Sequence, residues 1–549
     1  MAAAARYKTT DVVDFVIVGS GAGGGVLAKE LSSNGFRVVV LEQGPRLEPG
    51  NFEHDEYWAF NLKALTNNWR EQPNTFRKSE NDRAQTKPAV WYGRLVGGGS
   101  VHFTSNYWRF HEIDFVERSR KGSVPGASLE DWPITYTDLE PYYTKAEWEL
   151  GVSGLAGASP FDPPRSKPYP MPPLPIKSSG VLVERGAKKL GWHAFPAPLA
   201  ILSQNYRGRH ACMHCGFCEA FGCEWGAKSS TLATMIPIAE QSGRCEVRAH
   251  SYVSQIETNA LDRATGVVYF DKEKREQRQK AKAVILCANG AETPRLLLMS
   301  KSKQFPNGLA NSSGVVGKYL MLDTWAMSAG VFEHPLNDFK SVHVSRVIHD
   351  FYEIDPKHGL FGGAGLDGRF DLYPVGFALG GFAPDMPQWG REFKKNLRDF
   401  PRMMYVLSHN TALAVETNTI TLDPEIKDAW GLPAIRVTYR DHPETMKTVQ
   451  FMQDREMELL DAAGALKTWR MPFDDRGSSV HLMGTCRMGN DPRKSVISAD
   501  HRSHDVQNLF ICDGSSLVTS GRNQPTATIQ ALAFRAADRI AALAKRNEI

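Results

Sequence analysis

Gly19, Gly21 and Gly24 form a G-x-G-x-x-G series, and Glu42 follows twenty-three residues after the first of them. These residue types at this spacing suit a dinucleotide. Gly19 permits a tight turn, Gly21 lets the backbone approach a pyrophosphate, and Gly24 allows close helix–strand packing. The phosphates then meet the free N–H groups and positive dipole end of a helix. Glu42 is placed to accept hydrogen bonds from ribose hydroxyls. The series by itself does not separate NAD from FAD. A second constellation, Cys212-x2-Cys215-x2-Cys218-x4-Cys223, gathers four of the eight cysteines. Its spacing is close to that of ferredoxin-like loops, whose thiolates wrap an iron–sulfur cluster. Gly216, Gly222 and Gly226 would let such a loop curl. Structural zinc is a weaker fit, because zinc sites pair two C-x2-C knuckles across a longer spacer. A reduced cysteine-rich turn, or one or two disulfides, is the third reading.

The surrounding sequence must position these groups. Residues 13–18 are a β-branched and aromatic run of buried-strand type, and a helical pattern runs from Val26 to Asn34. A second apolar strand, 37–41, ends at Glu42. The order strand, glycine loop, helix, strand is the context in which the glycine series becomes informative. Residues 45–110 are loop-rich and contain a second glycine cluster, Gly97–Ser100, while 160–180 hold many prolines and read as an extended connection. Residues 245–287 alternate like strands, 320–470 are rich in aromatics and β-formers, and 508–512 return to a buried strand before a final helix from about Thr526. Alternating αβ grammar around a β-rich middle predicts an α/β fold: a Rossmann-like domain assembled from discontinuous segments, plus a substrate domain with an antiparallel sheet.

Composition narrows the function classes. With 65 Lys and Arg against 61 Asp and Glu, the net charge of +4 is small for 549 residues and gives no footprint for nucleic acid. No stretch reaches the roughly 18 apolar residues of a membrane span. Residues 1–10 lack an apolar signal region, which predicts a cytoplasmic protein.

Several blocks together resemble the glucose–methanol–choline (GMC) oxidoreductase family over essentially the whole chain. They are the N-terminal fingerprint; Gly93-Arg-Leu-Val-Gly-Gly-Gly-Ser100; Ala288-Asn-Gly-Ala-Glu-Thr-Pro-Arg-Leu-Leu-Leu298; and His481-Leu-Met-Gly-Thr-Cys-Arg-Met488 with Asp513-Gly-Ser-Ser516. Asp131-Trp-Pro-Ile134 and Leu139-Glu-Pro-Tyr-Tyr143 resemble the branch of fructose, gluconate and glucoside dehydrogenases. The resemblance implies FAD, bound by Gly19, Gly21, Gly24, Glu42, Gly98, Gly99, Ser100, His102, Asp513 and Gly514. Relatives with covalent flavin carry a histidine at the place of His102, so a histidyl link is one expectation and packing against the flavin edge the other. His481 matches the family's catalytic histidine. Alcohol oxidation needs a base for the O–H proton while the carbinol hydride goes to flavin N5, and a neutral imidazole serves near pH 7. The family's second His or Asn, on the loop before the last helix, has Gln524 in its place by ungapped count, with Asn523 one residue earlier. The usual Asp-His-Pro is replaced by Leu322-Asp-Thr-Trp325.

The resemblance divides the chain into FAD-binding parts at 1–110, 241–325 and 476–549, a substrate-side segment with the cysteine loop at 111–240, and a substrate sheet domain at 326–475. It implies a dehydrogenase acting on a sugar or glycoside hydroxyl. The electrons would pass to a cytochrome, quinone or dye, through an iron–sulfur cluster at Cys212, Cys215, Cys218 and Cys223. The alternatives are an oxidase making hydrogen peroxide and a catalytically silent electron-transfer flavoprotein. Some relatives leave the cytoplasm for the periplasm with a small partner subunit. Aromatics such as Tyr107, Trp108, Trp325 and Trp389 are candidates for stacking on a sugar.

Overall fold

Val12–Val18, Val38–Leu41, the second half of Glu276–Leu286 and Leu509–Ile511 are runs dominated by β-branched or aliphatic residues, and Cys245–Arg248 adds a short, more polar edge strand. They join as parallel strands in the order 245–248, 38–41, 12–18, 276–286, 509–511. Burial on both faces of such a sheet explains why the runs are nearly continuous in apolar character. The computed structural model describes residues 6–370, 372–380, 386–473 and 479–549. Met1–Ala5 and the expected boundary at 475/476 lie outside them.

The long strand Glu276–Leu286 is shared. Its first half continues into an antiparallel meander with Ala264–Phe270 and Tyr252–Thr258, and its second half pairs with Leu509–Ile511. Helix Ala22–Ser33 packs against the C-terminal helix Thr526–Lys545, which in turn meets Tyr136–Leu150. The first of these begins four residues before the expected Val26, because glycines at 23, 24 and 25 enter the helix rather than the turn. A Cβ at Gly24 would stand 2.0 Å from the Gly19 carbonyl oxygen and one at Gly23 2.2 Å from that of Cys512. Only bare backbone lets this helix lie so close to the strand ends.

The second sheet has six strands, all antiparallel, in the order Lys467–Arg470, Thr324–Val331, Met403–Asn410, Ala364–Arg369, Val344–Ile348, Ala194–Pro196. Helices Ser178–Leu190 and Pro443–Ala463 cover one face through a core of Val183, Leu366, Met404, Val406, Met452 and Leu459. A smaller sheet joins Asn74–Arg77 and Gln85–Thr86 to the hairpin Thr419–Thr438. The fold is therefore a discontinuous dinucleotide-type domain with a substrate-type antiparallel sheet. Among the described residues no helix is long and apolar enough to cross a membrane.

Candidate active site

The glycine loop has the close backbone approaches that a phosphate-bearing cofactor would need. Gly19 has φ +94°, and a Cβ there would meet the Cys287 carbonyl oxygen at 2.4 Å. Helix Ala22–Ser33 starts at Gly21 with no side-chain cap, so its first amides are left to a ligand. Gly98 (φ +54°) lies against this loop, where an added Cβ would approach Gly21 Cα to 2.7 Å, whereas the face of Gly99 is open. Ser20 ties the two loops together. Its Oγ accepts from Gly97 N at 3.0 Å and donates to Glu42 at 2.7 Å. Glu42 also accepts from Ser20 N at 3.1 Å and Gly44 N at 3.0 Å, and burial raises its pKa above the ordinary carboxylate value. Its carboxylate thus shapes the loop, whatever it offers a ribose. Ser100 likewise turns inward, donating to Gly97 O at 2.7 Å and accepting from Thr231 N at 3.1 Å. Asp513 accepts from Asn289 N, Thr293 Oγ1, Ser515 N and Ser515 Oγ at 2.5–3.0 Å and so ties two cofactor-side turns together.

His481 is set by the same economy of space. Leu482–Met483 pairs antiparallel with Met321–Leu322, and the Leu482 carbonyl oxygen is enclosed so tightly that a Cβ on Gly290 or Gly514 would come within 2.1 or 2.4 Å of it. Extending that ladder by one residue brings His481 opposite Asp323. His481 Nδ1 and Asp323 Oδ2 are 2.8 Å apart. Among the described residues His481 Nε2 has no hydrogen-bond partner, and the side chain is 18% exposed. Asp323 also accepts from His409 Nδ1 at 3.0 Å. Burial would raise the Asp323 pKa, but the two histidines outweigh it and hold the group well below the ordinary carboxylate range.

His409 comes from the second sheet, where Trp325 and Gly365 flank it on the neighbouring strands. Its Nε2 faces Asp367 Oδ2 at 3.3 Å and the Gln524 amide at 2.6 Å, and Asp367 pairs with Arg369 at 2.5 Å. Burial opposes the charge on His409, but Asp323 and Asp367 prevail and raise its pKa above the usual histidine value. Gln524 therefore joins His481 in the site through His409 and Asp323. Asn523 does not: its Nδ2 donates to Arg109 O at 2.8 Å and holds the loop to the 109–117 segment. Arg522, buried between Asp114 and Glu117, anchors the same loop.

Asp323, His409, Asp367 and Arg369 were not identified as site residues from sequence. Polar residues inside apolar runs, Ser408-His-Asn410 and Asp367-Gly-Arg369, are the signal that could have found them. Of the aromatics, Trp108 lies nearly perpendicular to the His409 ring with centroids 5.8 Å apart, while Tyr107 is core and its hydroxyl donates to Gln530 at 2.7 Å. Trp389 is 83% exposed, and Trp325 sits on its strand with a half-exposed ring.

The cysteine loop lies beside the second glycine cluster. Cys212, Cys215, Cys218 and Cys223 all line one cavity of about 110 Å³, and none of the eight cysteines is in a disulfide. Burial raises the Cys212 thiol to about 11 and the Cys218 thiol to about 12. Among the described residues no three Cys, His, Asp or Glu side chains are arranged to hold a metal ion. Lys228, also missed from sequence, is buried there and donates to Val101 O at 3.2 Å, Phe221 O at 2.8 Å and Cys218 O. His102 follows Val101. Its carbonyl accepts from Ala220 N at 2.8 Å, and its buried Nε2 has no partner among the described residues. Burial, then the Lys228 charge, lower its pKa to about 4, so the ring is neutral.

A parallel dinucleotide sheet, a substrate sheet and a histidine–carboxylate pair where they meet define a two-domain, dinucleotide-dependent oxidoreductase. The chain belongs to the GMC oxidoreductase family, whose N- and C-terminal models match residues 13–324 and 414–533. It is 35% identical to 2-methyl-1,2-propanediol dehydrogenase of Mycolicibacterium austroafricanum over 97% of this chain and 96% of that protein. It is 29% identical to the fructose dehydrogenase large subunit of Gluconobacter japonicus, covering 96% and 97%. A solved structure of Aspergillus oryzae formate oxidase superposes with a TM-score of 0.68 at 16% identity, covering 98% of this chain and all of that one, which speaks to the fold. FAD is the cofactor this family implies, and the uncapped helix start, the bare Gly21–Gly98 approach and the unpartnered His102 Nε2 fit it.

Proposed function

We propose that the protein is an FAD-dependent dehydrogenase that oxidises a hydroxyl of a sugar, glycoside or small polyol and passes the electrons to an external acceptor. The observation that carries the reading is the 2.8 Å pair of His481 Nδ1 and Asp323. With Nδ1–H donated to the carboxylate, the Nε2 lone pair is free to take the alcohol proton. Asp323 then stabilises the imidazolium, and the Gln524 amide binds the substrate oxygen without serving as a base. When bound, FAD supplies the two-electron acceptor for the carbinol C–H bond. Gly19, Gly21 and Gly24 would hold its pyrophosphate, Gly98 and Gly99 its ring, and His102 a covalent histidyl link. Relatives named as a diol dehydrogenase and a fructose dehydrogenase subunit support the substrate class.

The four cysteines around one cavity would hold an iron–sulfur cluster, which supplies one-electron steps toward a cytochrome, quinone or dye. Lys228 supports this assignment. Its buried ammonium contacts the carbonyl oxygens of Val101, before His102, and of Cys218, and would favour the thiolates that a bound cluster requires. A small partner subunit is part of the same reading. The competing oxidase reading draws on paromamine 6'-oxidase of Streptomyces fradiae, at 29% identity.

A dye-linked screen of sugars, glycosides and diols with purified enzyme tests the proposal, alongside peroxide yield under air. The expected result is dye reduction far exceeding peroxide formation. His481→Ala should lower kcat by about a hundred- to ten-thousand-fold with flavin retained. Near-normal turnover in that variant, or peroxide in proportion to substrate, overturns the corresponding part.

A further inference from the structure

The reading of His481 as the base leaves His409 without a task, although it is the more deeply buried of the two histidines that share Asp323. Its surroundings define its state. Nδ1 faces Asp323 Oδ2 at 3.0 Å and Nε2 faces Asp367 Oδ2 at 3.3 Å. A ring with a carboxylate at each nitrogen can donate to both only as an imidazolium. The remaining neighbours agree. Arg369 stands 3.4 Å from Nε2 but is engaged by Asp367, the Trp108 edge is apolar, and Gln524 can turn its amide oxygen toward the ring, since its O and N exchange by a half-turn. Thus Asp323 Oδ2 lies between two histidine Nδ1 atoms, which stand no more than about 6 Å apart across it.

We propose that His409 is a positioning residue, held as an imidazolium by Asp323 and Asp367, which shares the Asp323 carboxylate with His481 and so loosens that carboxylate's hold on a proton arriving at His481. Without the second cation, the whole charge of Asp323 would face His481 alone. With it, the carboxylate still orients the ring while part of its charge is already spent. The same cation fixes the Gln524 amide, leaving the amide NH2 as its free end. This inference rests on His481 being the base.

The test is the pH profile of kcat/KM with an artificial dye acceptor, for the wild-type holoenzyme, His409→Gln, His409→Asn, Asp367→Asn, Asp323→Asn and His481→Ala. Two charges about 6 Å apart at an effective dielectric near 20 predict that both His409 variants move the acid limb upward by about one to two pH units, with activity recovering at high pH. Asp367→Asn, which removes one of the two anions holding the imidazolium and so lets His409 lose its proton, moves it the same way, and Asp323→Asn moves it down. If the His409 variants do not retain flavin, the Asp367→Asn and Asp323→Asn pair tests the same opposition of signs. A loss equal at every pH, or shifts of one sign throughout, overturns the role of His409. An active His481→Ala enzyme overturns instead the reading of His481 as the base.

Discussion

Glu456 illustrates how a single side chain in the substrate sheet couples to pH. It projects from helix Pro443–Ala463 beneath the strands, and its Oε2 accepts from Ser328 Oγ at 2.8 Å. Burial, only partly countered by the Ser408 and Ser328 hydroxyls, lifts its pKa to about 8. The carboxyl is therefore protonated in the folded protein at neutral pH, whereas in the unfolded chain it ionises near its ordinary value of about 4.3. A folded pKa raised above the unfolded one means stability present at low pH and lost as pH rises, here between about 4.5 and 8. Glu456→Gln keeps an acceptor for Ser328 Oγ in its amide oxygen and removes the titration. It should gain about 1–3 kcal/mol at pH 8 over its effect at pH 5, read from denaturant unfolding at the two pH values. An equal effect at both would show that Glu456 is ionised in the fold. At this scale the sequence was uneven. His481 could be identified because a motif surrounds it, whereas His409, Asp323 and Asp367 meet only when separate strands pair.

Elements, rather than individual contacts, decide where the cofactor loops lie. Gly98 belongs to a short turn tied to the phosphate loop by Ser20 Oγ, with Thr231 Oγ1 set between Ser20 O and Gly97 O. An added methyl would press on Gly21 Cα at 2.7 Å and sit at φ +54°. Gly98→Ala should therefore purify with much less FAD than wild type, by visible absorbance against protein, while its circular dichroism stays native. Full flavin content would show that the two loops separate freely. The alternation of strand, glycine loop, helix and strand was legible from residues 13–42 because each element is local. The shared use of Glu276–Leu286 by a meander and a parallel strand was not, since nothing in an apolar run names its partner. The ladder between Met321–Leu322 and Leu482–Met483 was equally hidden, yet it is what brings Asp323 to His481.

Across the whole molecule, the second glycine loop and the cysteine cavity are joined by a few hydrogen bonds: the Lys228 ammonium donates to Val101 O and Cys218 O, and Ala220 N donates to His102 O. If the cavity holds an iron–sulfur cluster, Cys218→Ser should lower the iron content per chain and slow dye reduction, while anaerobic substrate still bleaches the flavin. Wild-type enzyme free of iron would end that assignment. The residue types and their spacing determined on their own an α/β fold with an antiparallel sheet and pointed to a dinucleotide site and a thiol-rich loop, while the family resemblance singled out His481. Those signals are carried by neighbours along the chain, where steric and hydrogen-bonding rules act over a few residues. Only the tertiary structure decided which carboxylate orients His481, that Gln524 and not Asn523 enters the site, and that a second histidine shares Asp323. Each of these depends on strands distant in sequence pairing in one register, a choice made by burial of the whole sheet rather than by any local pattern.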